Sequence, residues 1–210
     1  MRTIVIGDIH GCYYTLIRLL EKLEIQKDNQ IIFLGDYVDR GKNSYEVIEG
    51  LQEIQKQYNC ICLLGNHEAM MIDAIETKEC SLWKQSGGDK TLKSYQKNGA
   101  LRTKHLNWLK GLPVIYETRK NLFSHAGFPK TITLENTFED MVWGGNCVLD
   151  KSEPNEKIAI FGHYPNDRVF KTLNGNIGID TGCVYGGKLT ALVLDENTIS
   201  ILDVEKDSRD

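Results

Sequence analysis

A chain of 210 residues that is 41% apolar and 26% charged can build an ordinary globular core, as one domain with a modest insertion, and is too apolar for disorder. Its formal net charge of -4 argues against sequence-independent binding of nucleic acid, which needs a basic face. No apolar run approaches the ~20 residues that span a bilayer, and Met1-Arg2 passes too quickly into Gly7-Asp8 to form a secretory leader, so no membrane partner and a cytoplasmic location are expected.

Thr3–Ile6 is a short β-branched run ending at Gly7-Asp8 and reads as a buried strand. Residues 12–23 carry Leu16, Leu19, Leu20 and Leu23 at helical spacing. Residues 31–34 form the next strand, ending at Gly35-Asp36, and Ser44–Gln57 a helix with Val47, Ile48, Leu51 and Ile54 on one side. Residues 60–64 make a third strand ending at Gly65-Asn66, and residues 67–75 a third helix. Such a β-α-β-α-β-α series calls for parallel strands buried on both faces, with ligands bound beyond their carboxyl ends.

Residues 77–104 are polar, carry Trp83, Gly87-Gly88, Tyr95 and Gly99, and read as a cover insertion of short helices beside that site. Strands follow at 114–117, Asn121–Ser124 and Ile158–Phe161. Hairpins are expected at 169–172/176–179, turning on Leu173-Asn174-Gly175, and at 189–194/198–202, turning on Asp195-Glu196-Asn197. The second half is thus expected to be mostly antiparallel. The simplest packing is an α/β fold of two facing sheets, a β-sandwich with helices outside, filling residues 1–204 as one domain. Residues 205–210 read as a mobile charged tail. The six cysteines (Cys12, Cys60, Cys62, Cys80, Cys147, Cys183) form no CxxC pair and read as reduced thiols, with Cys60 and Cys62 packed on one strand face.

Five blocks carry the chemistry, each after an apolar run: Gly7-Asp8-Ile9-His10-Gly11, Gly35-Asp36-Tyr37-Val38-Asp39-Arg40-Gly41, Gly65-Asn66-His67-Glu68, His125-Ala126-Gly127 and Gly162-His163. Asp8, Asp36, His10, His125 and His163 are carboxylate and imidazole donors, and Asn66 adds a carbonyl oxygen. That mixture suits manganese, iron or zinc better than calcium or magnesium. Six donors exceed one tetrahedral ion and suit two octahedral ions sharing a carboxylate. A lone histidine is more often structural than functional. Four of the five here lie in these blocks, leaving His105 as an ordinary, partly exposed residue.

The first three blocks, with 24 residues between His10 and Gly35 and 24 between Arg40 and Gly65, resemble the three-part signature of the PPP-type phosphoprotein phosphatases, within the calcineurin-like metallophosphoesterases. His125-Ala126-Gly127 and Gly162-His163 resemble the later metal-binding blocks. The stretches 179–183 and 186–192 resemble the last part of small bacterial and phage members, so the resemblance runs from Thr3 to Leu202. It implies a fold of two facing mixed β-sheets flanked by helices in four layers. It implies that Asp8 and His10 bind one divalent metal, that Asp36 bridges two, and that Asn66, His125 and His163 bind the second, with Mn2+ the expected ion and Fe or Zn as alternatives. Arg40, with Asn66, would bind the phosphate, and His67 would be the general acid oriented by Asp39.

The reaction implied is dephosphorylation of phosphoserine or phosphothreonine in a protein, or of a phosphorylated small molecule, by direct attack of a metal-bridging hydroxide. The alternative is hydrolysis of diadenosine tetraphosphate or another dinucleoside polyphosphate. A non-catalytic binding module is disfavoured because every implied ligand is present. One departure stands out. Many such phosphatases carry a second phosphate-binding Arg shortly after a Trp, whereas Trp143 is followed by Gly144-Gly145-Asn146. Arg119 and Arg168 sit in no matching block, so phosphate binding is expected to rest on Arg40 and the metals, with Asn146 assisting. Asp180 reads equally as a residue orienting a ligand histidine or as a turn residue. Cys183 and Tyr185 read equally as packing or substrate contact.

Overall fold

The first strand, β1 (Thr3–Ile6), sets the layering by its alternation: Ile4 and Ile6 turn to one face and Val5 to the other. The fold is taken from a computed structural model, which describes residues 2–98, 103–128, 137–145, 157–196 and 198–210. After β1 come α1 (Tyr13–Leu23), β2 (Gln30–Phe33), α2 (Ser44–Gln57), β3 (Asn59–Cys62) and α3 (Asn66–Thr77). The insertion then folds as α4 (Ser81–Trp83), a π-helical turn (Lys84–Gly88) and α5 (Asp89–Lys97). The chain continues through α6 (Thr103–Lys110), β4 (Ile115–Glu117), β5 (Asn121–Ser124), α7 (Thr137–Trp143), β6 (Ile158–Phe161), β7 (Phe170–Lys171), β8 (Ile177–Gly178), β9 (Lys188–Leu194) and β10 (Ile199–Glu205).

Two mixed sheets of five strands result, in the orders β10-β9-β1-β2-β3 and β4-β5-β6-β8-β7. Val5, Ile32, Leu34 and Leu192 from the first sheet meet Phe123, Ile160 and Ile177 from the second in an apolar layer between them. The outer face of the first sheet, with Ile4, Ile6, Ile31 and Phe33, is covered by Leu16, Leu19, Val47, Ile48 and Leu51 of α1 and α2. On the outer face of the second, Met141 of α7 packs against Ala159. The layers are therefore helix, sheet, sheet, helix. Among the described residues no helix is long and apolar enough to cross a membrane.

The second half is mostly antiparallel in its pairings, as expected: β4–β5, β7–β8, β9–β10 and β9–β1 are antiparallel, while β5, β6 and β8 run parallel. The β9–β10 hairpin joins β1 at the free edge of the first sheet, pairing Ile4 with Val193. A local hairpin signal says nothing about which sheet receives it. Three expectations change. Helix α7 was not expected at all. His105 is fully buried, not partly exposed, because Nδ1 meets the Tyr95 hydroxyl at 2.9 Å and Nε2 meets Glu49 at 2.7 Å. Residues 206–210 do not form a free tail: they fold back on α1, and the Asp210 side chain is buried against Thr15 and Asn43.

Glu49 ties α6 to α2. Burial raises its pKa, but bonds from Lys104 and His105 outweigh that and bring it down to about 2. A depressed carboxyl contributes stability that is present above its unfolded pKa, near 4.5, and lost as pH falls through about 2. Since the side chain is 34% exposed and screened by solvent, Glu49→Gln is expected to cost only about 1 kcal/mol at neutral pH. Urea melts should show that difference shrinking below pH 4.5 and gone near pH 2.

Candidate metal centre and acid dyad

Asp8 follows β1, Asp36 follows β2, Asn66 and His67 follow β3, His125 follows β5 and His163 follows β6. The parallel strands of both sheets point their carboxyl ends the same way, so all five blocks meet at one end of the sandwich. The turns there are tight. His10, Asp36, Asp39, Arg40 and His163 all have left-handed φ, between 46° and 71°, and account for five of the seven such non-glycine residues among those described. Each such residue costs about 1–2 kcal/mol unless its surroundings enforce it. Close approach does part of the enforcing: a Cβ on Gly162 would lie 2.1 Å from Asp8 Oδ1, and one on Gly65 would lie 2.3 Å from Asp36 Oδ1.

Asp36 is the centre of the cluster. Its Oδ2 lies 3.3 Å from His10 Nε2 and 4.0 Å from His67 Nε2, and its Oδ1 lies 3.3 Å from His125 Nε2. Two groups of metal-competent atoms share it: His10, Asp36 and His67, and Asp36, His125 and His163, each with its ligand atoms within 4.8 Å of one another.

The donor chemistry fits a cation. His10 Nδ1–H donates to the Val38 carbonyl at 2.8 Å and His125 Nδ1–H to the Leu34 carbonyl at 3.0 Å, which leaves both Nε2 lone pairs facing Asp36. His125 Nε2, His163 Nδ1 and Asn66 Oδ1 then stand 3.0–3.2 Å apart as acceptors gathered on one point. The Arg40 guanidinium reaches His10 Nε2 at 2.6 Å, so it takes the lone pair that an ion would otherwise engage.

The electrostatics of the second group agree. Burial brings His125 down to about 3 and also lowers His163, so both are neutral and able to ligate. Asp36 is held well below the usual carboxylate range: burial opposes this, but His125, His67 and His10 outweigh it. Asp8 is pushed well above that range by burial and by the charges of Asp180 and Asp36. The carboxylates of Asp8, Asp36 and Asp180 lie close enough for their charges to act on one another, with the Arg40 guanidinium beside them.

Asp8 lies at the same end of the sandwich, against the Gly162-His163 turn. Its carboxylate accepts the His163 N–H at 3.1–3.2 Å and belongs to neither group, while His67 stands in the first one. Asp180 accepts the Gly182 N–H at 2.9 Å, a turn role. Cys183 is buried in the core, whereas Tyr185 is 63% exposed with its ring 5.4 Å from the Arg40 guanidinium. Arg119 and Arg168 are both exposed, and Arg119 lies in the β4–β5 turn beside Thr3, at the opposite end of the sandwich. Asn146 lies outside the described residues.

The second feature is a His–Asp dyad. His67 Nδ1 meets Asp39 Oδ2 at 2.7 Å. Asp39 is completely buried and also accepts bonds from Thr91 Oγ1 (2.6 Å) and Trp83 Nε1 (3.0 Å), both from the insertion. The insertion further holds Arg40, whose N–H donates to Gly87 O at 3.2 Å. The sequence reading made this segment a cover that shapes the cleft and gave it no contact with Asp39 or Arg40.

Glu68 had no assigned role either. Its buried carboxylate accepts the backbone N–H groups of Asp36, Tyr37, Val38 and Gly65, and so shapes the loop that carries Asp36 and Asp39. Burial and the Asp36 charge push its pKa up to about 8 against the pull of the Val38, Tyr37 and Asp36 N–H donors. Glu68→Ala strands all four donors and is expected to cost roughly 3–5 kcal/mol, measured by chemical denaturation in chelator.

A family model for calcineurin-like phosphoesterases matches residues 1–202. The chain is 30% identical over 200 residues to serine/threonine-protein phosphatase 2 of Salmonella typhimurium, covering 89% of each protein. It is 28% identical over 235 residues to an asymmetrical bis(5'-nucleosyl)-tetraphosphatase of Anoxybacillus flavithermus, covering 94% of this chain and 92% of that one. The solved structure of a candidate diadenosine tetraphosphatase superposes with a TM-score of 0.76 at 23% identity, covering 99% of this chain and 94% of that one, which supports the fold. With two mixed sheets in a helix-flanked sandwich and a shared carboxylate between two histidine groups at the strand ends, the chain belongs to the calcineurin-like phosphoesterase family and is a hydrolase of phosphoric esters.

Proposed function

We propose that this protein is a serine/threonine phosphoprotein phosphatase that uses two divalent cations, with manganese the preferred ion, and works in the cytoplasm. His10 and Asp36, with Asp8, would hold one ion; Asp36, Asn66, His125 and His163 would hold the other. Bound there, the cations supply positive charge against the phosphoryl oxygens and lower the pKa of water. Arg40 offers a planar fork to the remaining phosphate oxygens, with Asn66 beside it. His67 protonates the departing oxygen through Nε2, and Asp39 keeps the other ring nitrogen protonated and the ring oriented. The insertion, as part of one domain covering residues 1–204, shapes the cleft through Trp83, Gly87 and Thr91.

The observation that carries the choice of substrate is the dyad. A serine or threonine alkoxide is a poor leaving group and needs a proton, whereas a nucleotide leaving through a phosphate oxygen does not. A buried Asp39 held by three side chains, including His67, is a device for the first case. The likeness to a dinucleoside tetraphosphatase supports a second reading, hydrolysis of dinucleoside polyphosphates.

The two separate in one assay. Purified protein with Mn2+ is given a phosphoserine peptide, a phosphotyrosine peptide and diadenosine tetraphosphate, with metal content measured on the same sample. The phosphoserine peptide should be turned over fastest. Preference for the dinucleotide by orders of magnitude would replace the first reading with the second.

A further inference from the structure

Asp210 lies 195 residues from Thr15 in sequence, yet its carboxylate is buried at the start of α1. Oδ1 accepts the Tyr14 N–H at 3.1 Å and Asn43 Nδ2–H at 3.0 Å. Oδ2 accepts the Thr15 N–H at 2.8 Å and the Thr15 hydroxyl at 2.7 Å. Cys12, at the cap position of α1, makes no side-chain cap bond, so the acceptors for these first helical N–H groups come from Asp210, with the sign of charge that the helix start favours.

What this carboxylate joins is the phosphate end of the site. Ile9 N–H and His10 N–H donate to Asp36 O, Gly11 N–H to Tyr37 O, and Asn43 N–H to Gly11 O, so segments 9–12 and 36–43 are zipped into one unit. That unit carries His10 and Arg40, both at left-handed φ (46° and 65°). Asp210 pins its outer end by holding α1 and Asn43 together. On the other side, Lys206 Nζ–H donates to Val184 O at 2.9 Å and Lys206 N–H to Gly187 O at 3.3 Å. These bonds fix the turn that presents Tyr185 to Arg40. Segment 206–210 therefore touches the start of α1, Asn43 and the turn of Tyr185.

We infer that Asp210 is a positioning residue for phosphate binding: it clamps the loops of His10 and Arg40 in register, so that the Arg40 fork meets the phosphate. The inference rests on the proposed role of Arg40 and on no choice of substrate. Its test uses the full chain at saturating Mn2+ and measures the inhibition constant of inorganic phosphate and the KM and kcat for a phenyl phosphate. Hydrogen exchange of segments 9–12 and 36–43 is followed on the same samples.

Asp210→Ala should weaken phosphate and raise KM roughly tenfold, with kcat changed less and exchange in both segments faster. Thr15→Val, which removes one of the four bonds, should shift phosphate affinity the same way by a smaller factor. Ile177→Val, a trimmed core residue between the sheets, lowers stability but should leave KM and phosphate affinity unchanged. If Asp210→Ala behaves like Ile177→Val while Arg40→Ala weakens phosphate, the clamp is refuted and the role of Arg40 stands. If Arg40→Ala itself leaves phosphate affinity unchanged, the role of Arg40 fails and takes the clamp with it.

Discussion

Asp36→Asn is expected to empty the centre of metal and to reduce turnover by more than ~10³-fold. Asp36 is the one side chain common to both donor groups, with one oxygen toward His10 and the other toward His125. Asparagine keeps the shape and a single neutral acceptor but removes the charge that two cations would share. Each cation is worth several kcal/mol of transition-state stabilisation, and 1.36 kcal/mol is about a factor of ten, so losing both exceeds three decades. The fold should survive. Asparagine tolerates the left-handed φ of 54° at this position, and neutralising it relieves the repulsion that raises Asp8 and Glu68. Elemental analysis, kcat/KM and a thermal melt in chelator form the test. Metal content near zero with an unchanged or higher melting temperature is the expected result; a variant that keeps both ions would show that Asp36 is not the bridge.

The part of this centre that was legible in sequence is the part encoded locally. Each ligand follows an apolar run directly and sits in a glycine turn, so the strand, its end and its donor can be read within a few residues. The β-α-β alternation then brings those ends together without knowledge of any contact. What was not legible depends on residues far apart. Trp83 and Thr91 reach Asp39 across 44 and 52 positions, and their role lies in that distance and not in their neighbours. His105 is an unremarkable member of a polar helix until Tyr95 and Glu49 close over it. The charged residues at 206–210 read as solvated, yet the α1 start offers two N–H donors and the Thr15 hydroxyl that only a distant carboxylate fills.

His67→Asn separates acid catalysis from metal binding, because His67 stands close enough to Asp36 to be taken for a ligand. Its geometry favours the acid. Nδ1 is held by Asp39 at 2.7 Å, and Nε2 stands 4.0 Å from Asp36, against 3.3 Å for His10 and for His125. His10 and His125 place a backbone carbonyl on Nδ1, which aims Nε2 at Asp36. The variant should therefore keep its metal and lose ~10²–10⁴ in kcat on a phosphoserine peptide. The loss on p-nitrophenyl phosphate should be far smaller, since that leaving group departs without a proton. Asp39→Asn should follow the same leaving-group pattern with a milder loss, because the imidazole remains but is no longer held by a carboxylate. A His67→Asn protein that loses metal, or that is slowed equally on both esters, would make His67 a ligand and leave the dyad without its acid.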